Sequence, residues 1–321
     1  MPAATPPAGE RAVPAAPRAV SVRAYVEGAA RVLDEAGVPS PLVDATALAA
    51  HVLGVERLVL VMAPDPAPEG FVEEFAALVE RRRAREPLQH LVGAAGFRYL
   101  TLAVEPGVFV PRPETEVVAQ AAVDEAARLV ASRRADAGEP PLVVDLCTGT
   151  GAIAVAVASE VPGARVVAVD ASDQAVALAR RNARAHGAEL RAEQGDVRDR
   201  ELLADLVGRV DVLVSNPPYI PPDAVPVDPE VRDHDPDLAL YGGGADGLDL
   251  PRAVIAAAVR LLAPGGLLVM EHAEVQDAAA RDAAAATGAF VDVRTEPDLT
   301  GRPRMLVARR STPPSVGDSQ P

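Results

Sequence analysis

Asn216, Pro217, Pro218 and Tyr219 stand directly behind the apolar run 210–215. The two prolines have a fixed φ and no N–H, so the carbonyls around them are stiff acceptors and the backbone there cannot donate. Asn216 adds a side-chain oxygen. That oxygen and the Pro217 carbonyl together suit both hydrogens of a planar –NH2 group. The Tyr219 ring can then stack on the flat face of that group, with its nitrogen left facing an electrophile. A proline-rich strand terminator, the plainer reading, accounts for the prolines but not for Asn and Tyr at once.

A second cluster lies earlier in the chain. In "DLCTGTGAIAVAVA", Gly149 and Gly151 fall between a strand-like run and a helix-like one. Residues without Cβ atoms turn sharply and let a ligand approach the backbone, and a helix N-terminus supplies free N–H groups. The dinucleotide fingerprint G-x-G-x-x-G is not met, because position 154 is Ala, a residue that the pattern sometimes tolerates there. Asp170 ends the next strand-like run, where a carboxylate can accept from both ribose hydroxyls, and Asp196 follows the third, where an adenine amino group can be read. Plainer readings stand beside these: any doubly wound fold needs a tight first turn, Asp170 can cap the following helix, and Cys147 can be a small buried residue with an unactivated thiol. Taken with the amino-group clamp, a nucleoside cofactor points to methyl transfer from a sulfonium. Such chemistry asks the protein mainly for alignment and for acceptor dipoles that stabilise positive charge developing on nitrogen.

The elements that must hold these residues follow from periodicity. Residues 142–146, 165–170, 189–194, 210–215, 266–271, 290–295 and 304–310 read as strands separated by helical segments. Continuous apolar strands in such alternation indicate an α/β fold whose mainly parallel sheet is covered on both faces. If the strand order reverses between the first and fourth strands, the Asn216 corner faces the glycine loop. Upstream, apolar residues at helical spacing from Val22 to Ala36 predict a helix stopped by Gly37 and Pro39. Ser40 and Pro41 open a second that runs to Gly54, and "EGFVEEFAALVERRRAR" predicts a third. Residues 21–90 thus read as a small helical bundle. The stretch 91–111 changes period and predicts a β-hairpin connector that turns around Pro106-Gly107. The Pro/Ala-rich residues 1–20 and the segment 311–321 lack periodicity and are expected to be disordered tails.

Composition removes competing chemistries. All 31 basic residues are Arg, which excludes a P-loop lysine and any Schiff-base mechanism. A lone Cys147 excludes an internal disulfide, and His51, His90, His186, His234 and His272 lack the spacing of metal ligands, so no metal is expected. A formal charge of −15 opposes stable binding to nucleic acid. The one basic run, "ERRRARE" at 80–86, reads as a solvated helix face between glutamates. No apolar run approaches the length of a membrane span and no signal-peptide core opens the chain, so a cytoplasmic protein is expected.

The stretches "LVVDLCTGTGAIAVAVA", "VVAVDAS", "SNPPYI" and "LLAPGGLLVME" resemble class I S-adenosylmethionine-dependent methyltransferases that modify planar amino groups. With "EPLQHLVG", "VFVPRPETE", "DLALYGGGADGLDL" and "DLTGRPRMLVARR", residues 21–310 resemble one family among them, the release-factor glutamine methyltransferases. The resemblance implies a seven-stranded Rossmann-like sheet over 112–310. It implies S-adenosyl-L-methionine held by Cys147, Thr148, Gly149, Thr150, Gly151, Asp170, Asp196, Val197 and Asn216, and a glutamine held by Asn216, Pro217, Pro218 and Tyr219. The implied partner is a peptide chain release factor, methylated on the glutamine of its Gly-Gly-Gln loop and docked with help from the N-terminal helices; the enzyme is expected to be monomeric. A base amino group in nucleic acid suits the same clamp and is the alternative substrate, opposed by the acidic charge. The chain departs from the family pattern at Cys147, where Gly is usual, at Val197, where an aromatic is frequent, and at "MEHAEVQ", which replaces a Glu-Ile-Gly stretch and leaves His272 best read as structural.

Overall fold

The computed structural model describes residues 20–135 and 138–312, with the backbone alone for 134 and 135. The expectations for the two tails therefore lie almost wholly outside the described residues. Compact units meet between Val92 and Gly93.

The first unit contains α1 (Val22–Glu35), α2 (Pro41–Val52), α3 (Phe71–Arg83) and the short α4 (Leu88–Val92). Ser21 caps α1, its hydroxyl accepting from the Ala24 amide at 3.3 Å, and Gly37 ends the helical path at φ +72°. Ser40 sits at the N-cap of α2 but makes no side-chain capping bond; Pro41 starts that helix. Val26, Leu33, Leu48, Phe71 and Phe75 form the core of the unit. The basic run departs from its expected solvated face at one position. Arg82 is 3% exposed and pairs with the buried Asp44 at 2.7 Å, while Arg81 and Arg83 stay outside on Glu86 and Glu80. Charge density in the sequence did not distinguish the inward-facing turn of α3 from its outward one.

The second unit opens with a hairpin, β1 (Ala94–Phe97) and β2 (Leu100–Ala103). Its turn falls at Arg98-Tyr99, not around Pro106-Gly107 as the sequence predicts. Arg98 takes the left-handed conformation at φ 54° and sends its guanidinium to Glu160 at 2.6 Å. A long-range ion pair thus holds a turn that carries no glycine signal. Pro106 and Gly107 belong to the following loop, where the Pro106 carbonyl accepts from Gln174 at 2.8 Å.

Then come α5 (Thr115–Ala135), β3 (Leu142–Leu146), α6 (Ala152–Glu160), β4 (Arg165–Asp170), α7 (Asp173–Ala185), β5 (Arg191–Gln194) and β6 (Val210–Ser215). After β6 follow α8 (Pro229–His234), α9 (Asp237–Leu240), α10 (Asp249–Leu261), β7 (Leu262–Glu271), α11 (Asp277–Ala286), β8 (Phe290–Pro297) and β9 (Pro303–Arg310). The strands form one seven-stranded sheet in the order β5-β4-β3-β6-β7-β9-β8, parallel except for β9, which runs antiparallel to both neighbours. Alternate residues of β3 serve opposite faces: Val143 joins the core under α5, α6 and α7, whereas Leu142, Val144 and Leu146 join the core under α10. The order reverses between β3 and β6. There Leu146 lies beside Ser215, and the Ser215 hydroxyl donates to the Leu146 carbonyl at 2.7 Å.

Candidate active site

Above that reversal the carboxyl ends of β3, β4, β6 and β7 open into a cleft of about 660 Å³, within the range of small-molecule sites. Loop 147–151 forms one wall. Gly149 has φ +56° and a Cβ built on it would meet nothing within 4 Å, so its backbone is bare toward the cleft. Gly151 differs: its Cβ would stand 2.9 Å from the Ala179 side chain, which makes it a helix-packing glycine at the N-cap of α6. Cys147 takes φ 60°, a conformation that favours glycine. Burial, followed by the nearby Asp170 charge, pushes its thiol pKa up, so the thiol stays protonated. Thr148 turns its hydroxyl down to Asp145 at 2.6 Å, and Thr150 is buried with its carbonyl accepting from Asn182.

Asp170 spans the loop and the next helix. One of its oxygens accepts from the Gly149 amide at 2.8 Å and the other from the Ser172 amide at 2.9 Å. The cap of α7 is Ser172, whose hydroxyl accepts from Ala175, so Asp170 is left to face the cleft. Each carboxylate oxygen keeps a further lone pair for a hydroxyl donor. Burial raises the Asp170 pKa while the three backbone amides of Ser172, Gly149 and Ala171 hold it down. Asp196 and Val197 line the far wall. Asp196 already grips Arg198 with both oxygens, at 2.9 and 2.5 Å, and Val197 packs on the core beneath.

The corner after β6, the strand beside β3, also lines the cleft, with Pro217 and Pro218 buried and Asn216 and Tyr219 partly open to it. Asn216 donates its Nδ2 to the Thr115 hydroxyl at 3.1 Å, leaving Oδ1 as the end a ligand can meet. Tyr219 donates its phenol to Glu271 Oε1 at 3.2 Å. Main-chain bonds fasten the corner behind: the Ile220 amide donates to the Leu240 carbonyl, and the Gly242 amide to the Ile220 carbonyl. Gln276 donates to both the Tyr219 carbonyl at 2.7 Å and the Asp246 carbonyl at 2.8 Å. Thr115, Glu271, Arg304, Gln276 and the Arg112–Asp235 pair were not singled out in the sequence as site residues. Only the enclosing stretches carried a signal, "PRPETE" for Arg112 and Thr115, "MEHAEVQ" for Glu271 and Gln276 and "DLTGRPRMLVARR" for Arg304, while Asp235 lies in none of them. His272, by contrast, is fully buried, its Nδ1 on the Ala273 carbonyl, with burial lowering its pKa: a structural position.

A bare glycine backbone, a carboxylate with spare lone pairs at the end of β4, and stiff acceptors at the corner after β6 fit a nucleoside sulfonium cofactor. Among the described residues no cluster fit for a metal ion occurs. Residues 108–227 match the methyltransferase small domain family model. With the fold, this defines a class I methyltransferase that uses S-adenosyl-L-methionine. Residues 25–93 match the PrmC N-terminal domain. The release factor glutamine methyltransferase of Streptomyces coelicolor is 48% identical over 90% of this chain and 98% of its own length. That of Mycolicibacterium smegmatis is 47% identical, again over 90% of this chain and 98% of its own, and that of Mycobacterium tuberculosis 43% identical over 91% and 92%. The chain belongs to the release factor glutamine methyltransferase family.

Proposed function

We propose that this enzyme transfers a methyl group from S-adenosyl-L-methionine to the side-chain amide nitrogen of the glutamine in the Gly-Gly-Gln loop of peptide chain release factors. The observation that carries the reading is the Asn216 amide, whose nitrogen is spent on Thr115 so that its oxygen is available to the ligand. The cofactor, when bound, supplies a methyl carbon activated on a positively charged sulfur. Gly149, Asp170 and the rest of loop 147–151, with Asp196, Val197 and Asn216, hold it.

At the corner after β6, Asn216 Oδ1 and the Pro217 carbonyl accept the two amide hydrogens of the glutamine, and the Tyr219 ring covers its flat face. So held, the glutamine nitrogen would meet the methyl carbon that the cofactor supplies, with the thioether sulfur as leaving group and one amide proton lost to solvent. Acceptors already in place stabilise charge growing on nitrogen without reorganising. The residues of the first unit help dock the release factor. No described helix is long and apolar enough to cross a membrane, and a translation factor as substrate puts the enzyme in the cytoplasm. Residues of this chain line the cleft, and on this reading the enzyme works as a monomer.

The test is incubation with cofactor radiolabelled on the methyl, separately with purified release factor, with a release factor whose loop glutamine is Ala, and with total RNA or DNA. Label in the first alone is expected. Label in nucleic acid and not in protein replaces this reading with base methylation.

A further inference from the structure

The corner after β6 gives its surroundings little to hold. Pro217 and Pro218 have no N–H, so whatever fixes their peptide planes must act on main-chain carbonyls or on the residues that follow. Gln276, 5% exposed in the short turn between β7 and α11, holds such a carbonyl. Its Nε2 donates to the Tyr219 carbonyl at 2.7 Å and to the Asp246 carbonyl at 2.8 Å, and its Oε1 accepts from the Ala273 amide at 3.1 Å. The Gln276 main-chain amide donates in turn to the Ala273 carbonyl at 2.9 Å. The residue is thus tied to its own turn at both ends before its –NH2 reaches the corner.

The orientation of this carboxamide follows from its partners. The Ala273 amide is a donor, so the oxygen must lie on that side and the two hydrogens on the side of the two carbonyls. Few side chains can replace it: Lys and Arg have no acceptor, an ionised carboxylate has no donor, and Asn carries the same groups on a stem one methylene shorter. The segment that bears the second carbonyl presses on the same corner, since a Cβ built on Gly242 would stand 2.7 Å from the Pro218 carbonyl oxygen. One buried amide therefore joins the corner, the glycine segment packed on it and the turn after β7.

We propose that Gln276 is a positioning residue of the reaction: by holding the Tyr219 carbonyl from behind, it fixes the Pro217 carbonyl and the Tyr219 ring in the arrangement that receives the substrate nitrogen. The inference rests on the methyl-transfer reading above. Gln276 stands behind Tyr219, which itself lines the cleft, so it acts on the corner and not on a ligand. Without its two donors the corner samples more than one arrangement, and fewer encounters present the nitrogen in line with the methyl carbon. Cofactor held by loop 147–151 and Asp170 is unaffected, and a release factor still docks through the rest of its surface.

Tyr219-Ile220 is the one Tyr-Ile step in the sequence. Full-length protein labelled with carbon-13 on tyrosine carbonyls and nitrogen-15 on isoleucine therefore gives a single carbonyl-to-amide correlation, that of the peptide Gln276 holds. Gln276→Met keeps the length and removes both donors. Gln276→Glu keeps the shape; ionised it has no donor for either carbonyl, and protonated it has one for two. Both variants should move the Tyr219 carbonyl resonance and lower kcat about 10–100-fold, as small misplacements of reacting groups do, with KM for release factor and calorimetric cofactor binding near wild type. A side chain that only fills space would leave Gln276→Glu at the wild-type rate. That rate, a loss confined to KM, or a resonance unmoved in either folded variant overturns the inference. Wild-type protein that labels no release factor, while the resonance moves in the variants as described, overturns the functional reading and leaves the anchoring of the corner standing.

Discussion

Gly247 lies so close to Tyr219 that a Cβ built on it would stand 2.3 Å from the Tyr219 carbonyl oxygen and 2.8 Å from the Pro221 nitrogen. Its φ is +74°, where side chains are strained as well. Gly247→Ala must therefore displace the backbone of the corner. A loss of about 1–3 kcal/mol is expected, read by thermal unfolding, together with a fall in kcat that leaves cofactor affinity near wild type.

Asn216→Ala removes the outward acceptor without touching Asp170 or the glycine loop. Methyl transfer should drop by about 100-fold or more, the scale for losing one preorganised polar group of a transition-state site, while calorimetry still finds cofactor binding. Turnover at the wild-type rate would discard the clamp.

Asp170→Ala takes away the acceptor for hydroxyl donors at the end of β4 and unties the Gly149 and Ser172 amides. Hydrogen bonds to a charged group contribute about 1.5–3 kcal/mol. Cofactor dissociation constants should accordingly rise about 10–100-fold, measured by titration calorimetry. An unchanged constant would remove Asp170 from the cofactor site.

Arg112, itself under the Phe109 ring, holds the fully buried Asp235 carboxylate at 2.5 Å and so ties α8 and α9 to the segment before α5. Arg112→Gln leaves that charge buried and unpaired, a loss of about 3 kcal/mol, expected as faster hydrogen exchange in residues 229–241. The double variant with Asp235→Asn should recover part of the protection. Equal exchange in the single and double variants would show that the pair does not hold this segment.

Asp145 is fully buried beneath loop 147–151, and burial raises its pKa to about 7 despite the Thr148 hydroxyl and the Ala154 amide. The folded value exceeds the unfolded one, about 3.9. The protein then keeps this contribution below about pH 4 and loses it as pH rises through about 7. Asp145→Asn removes the penalty of the buried charge, so its melting temperature relative to wild type should rise from pH 5 to pH 8. A difference that is flat or falls over that range would contradict the buried ionisation.

Period and composition were enough to locate the sheet because its central strands β3, β4 and β6 are apolar runs between helical segments, and the observed strands overlie the seven drawn from the sequence. The glycine loop, Asp170 and the Asn216 corner were also legible, as local patterns at strand ends. The hairpin turn was not, since Arg98 holds a left-handed turn through Glu160, a partner 62 residues away. Thr115 and Glu271 escaped for the same reason: each matters only through what it meets, and Thr115 meets Asn216 across 101 residues. Arg82 shows the limit of reading charge as exposure, because its partner Asp44 sits on another helix.

The corner after β6 is fastened from behind by main-chain atoms, from Ile220 to Leu240 and from Gly242 back to Ile220, and by a glutamine whose side chain bonds only to main-chain groups. Such anchoring does not depend on which side chains fill the loop in between, where Val225, Val227 and Leu238 stand outward. Substitutions on the loop's outer surface can therefore accumulate while the corner beneath keeps its alignment.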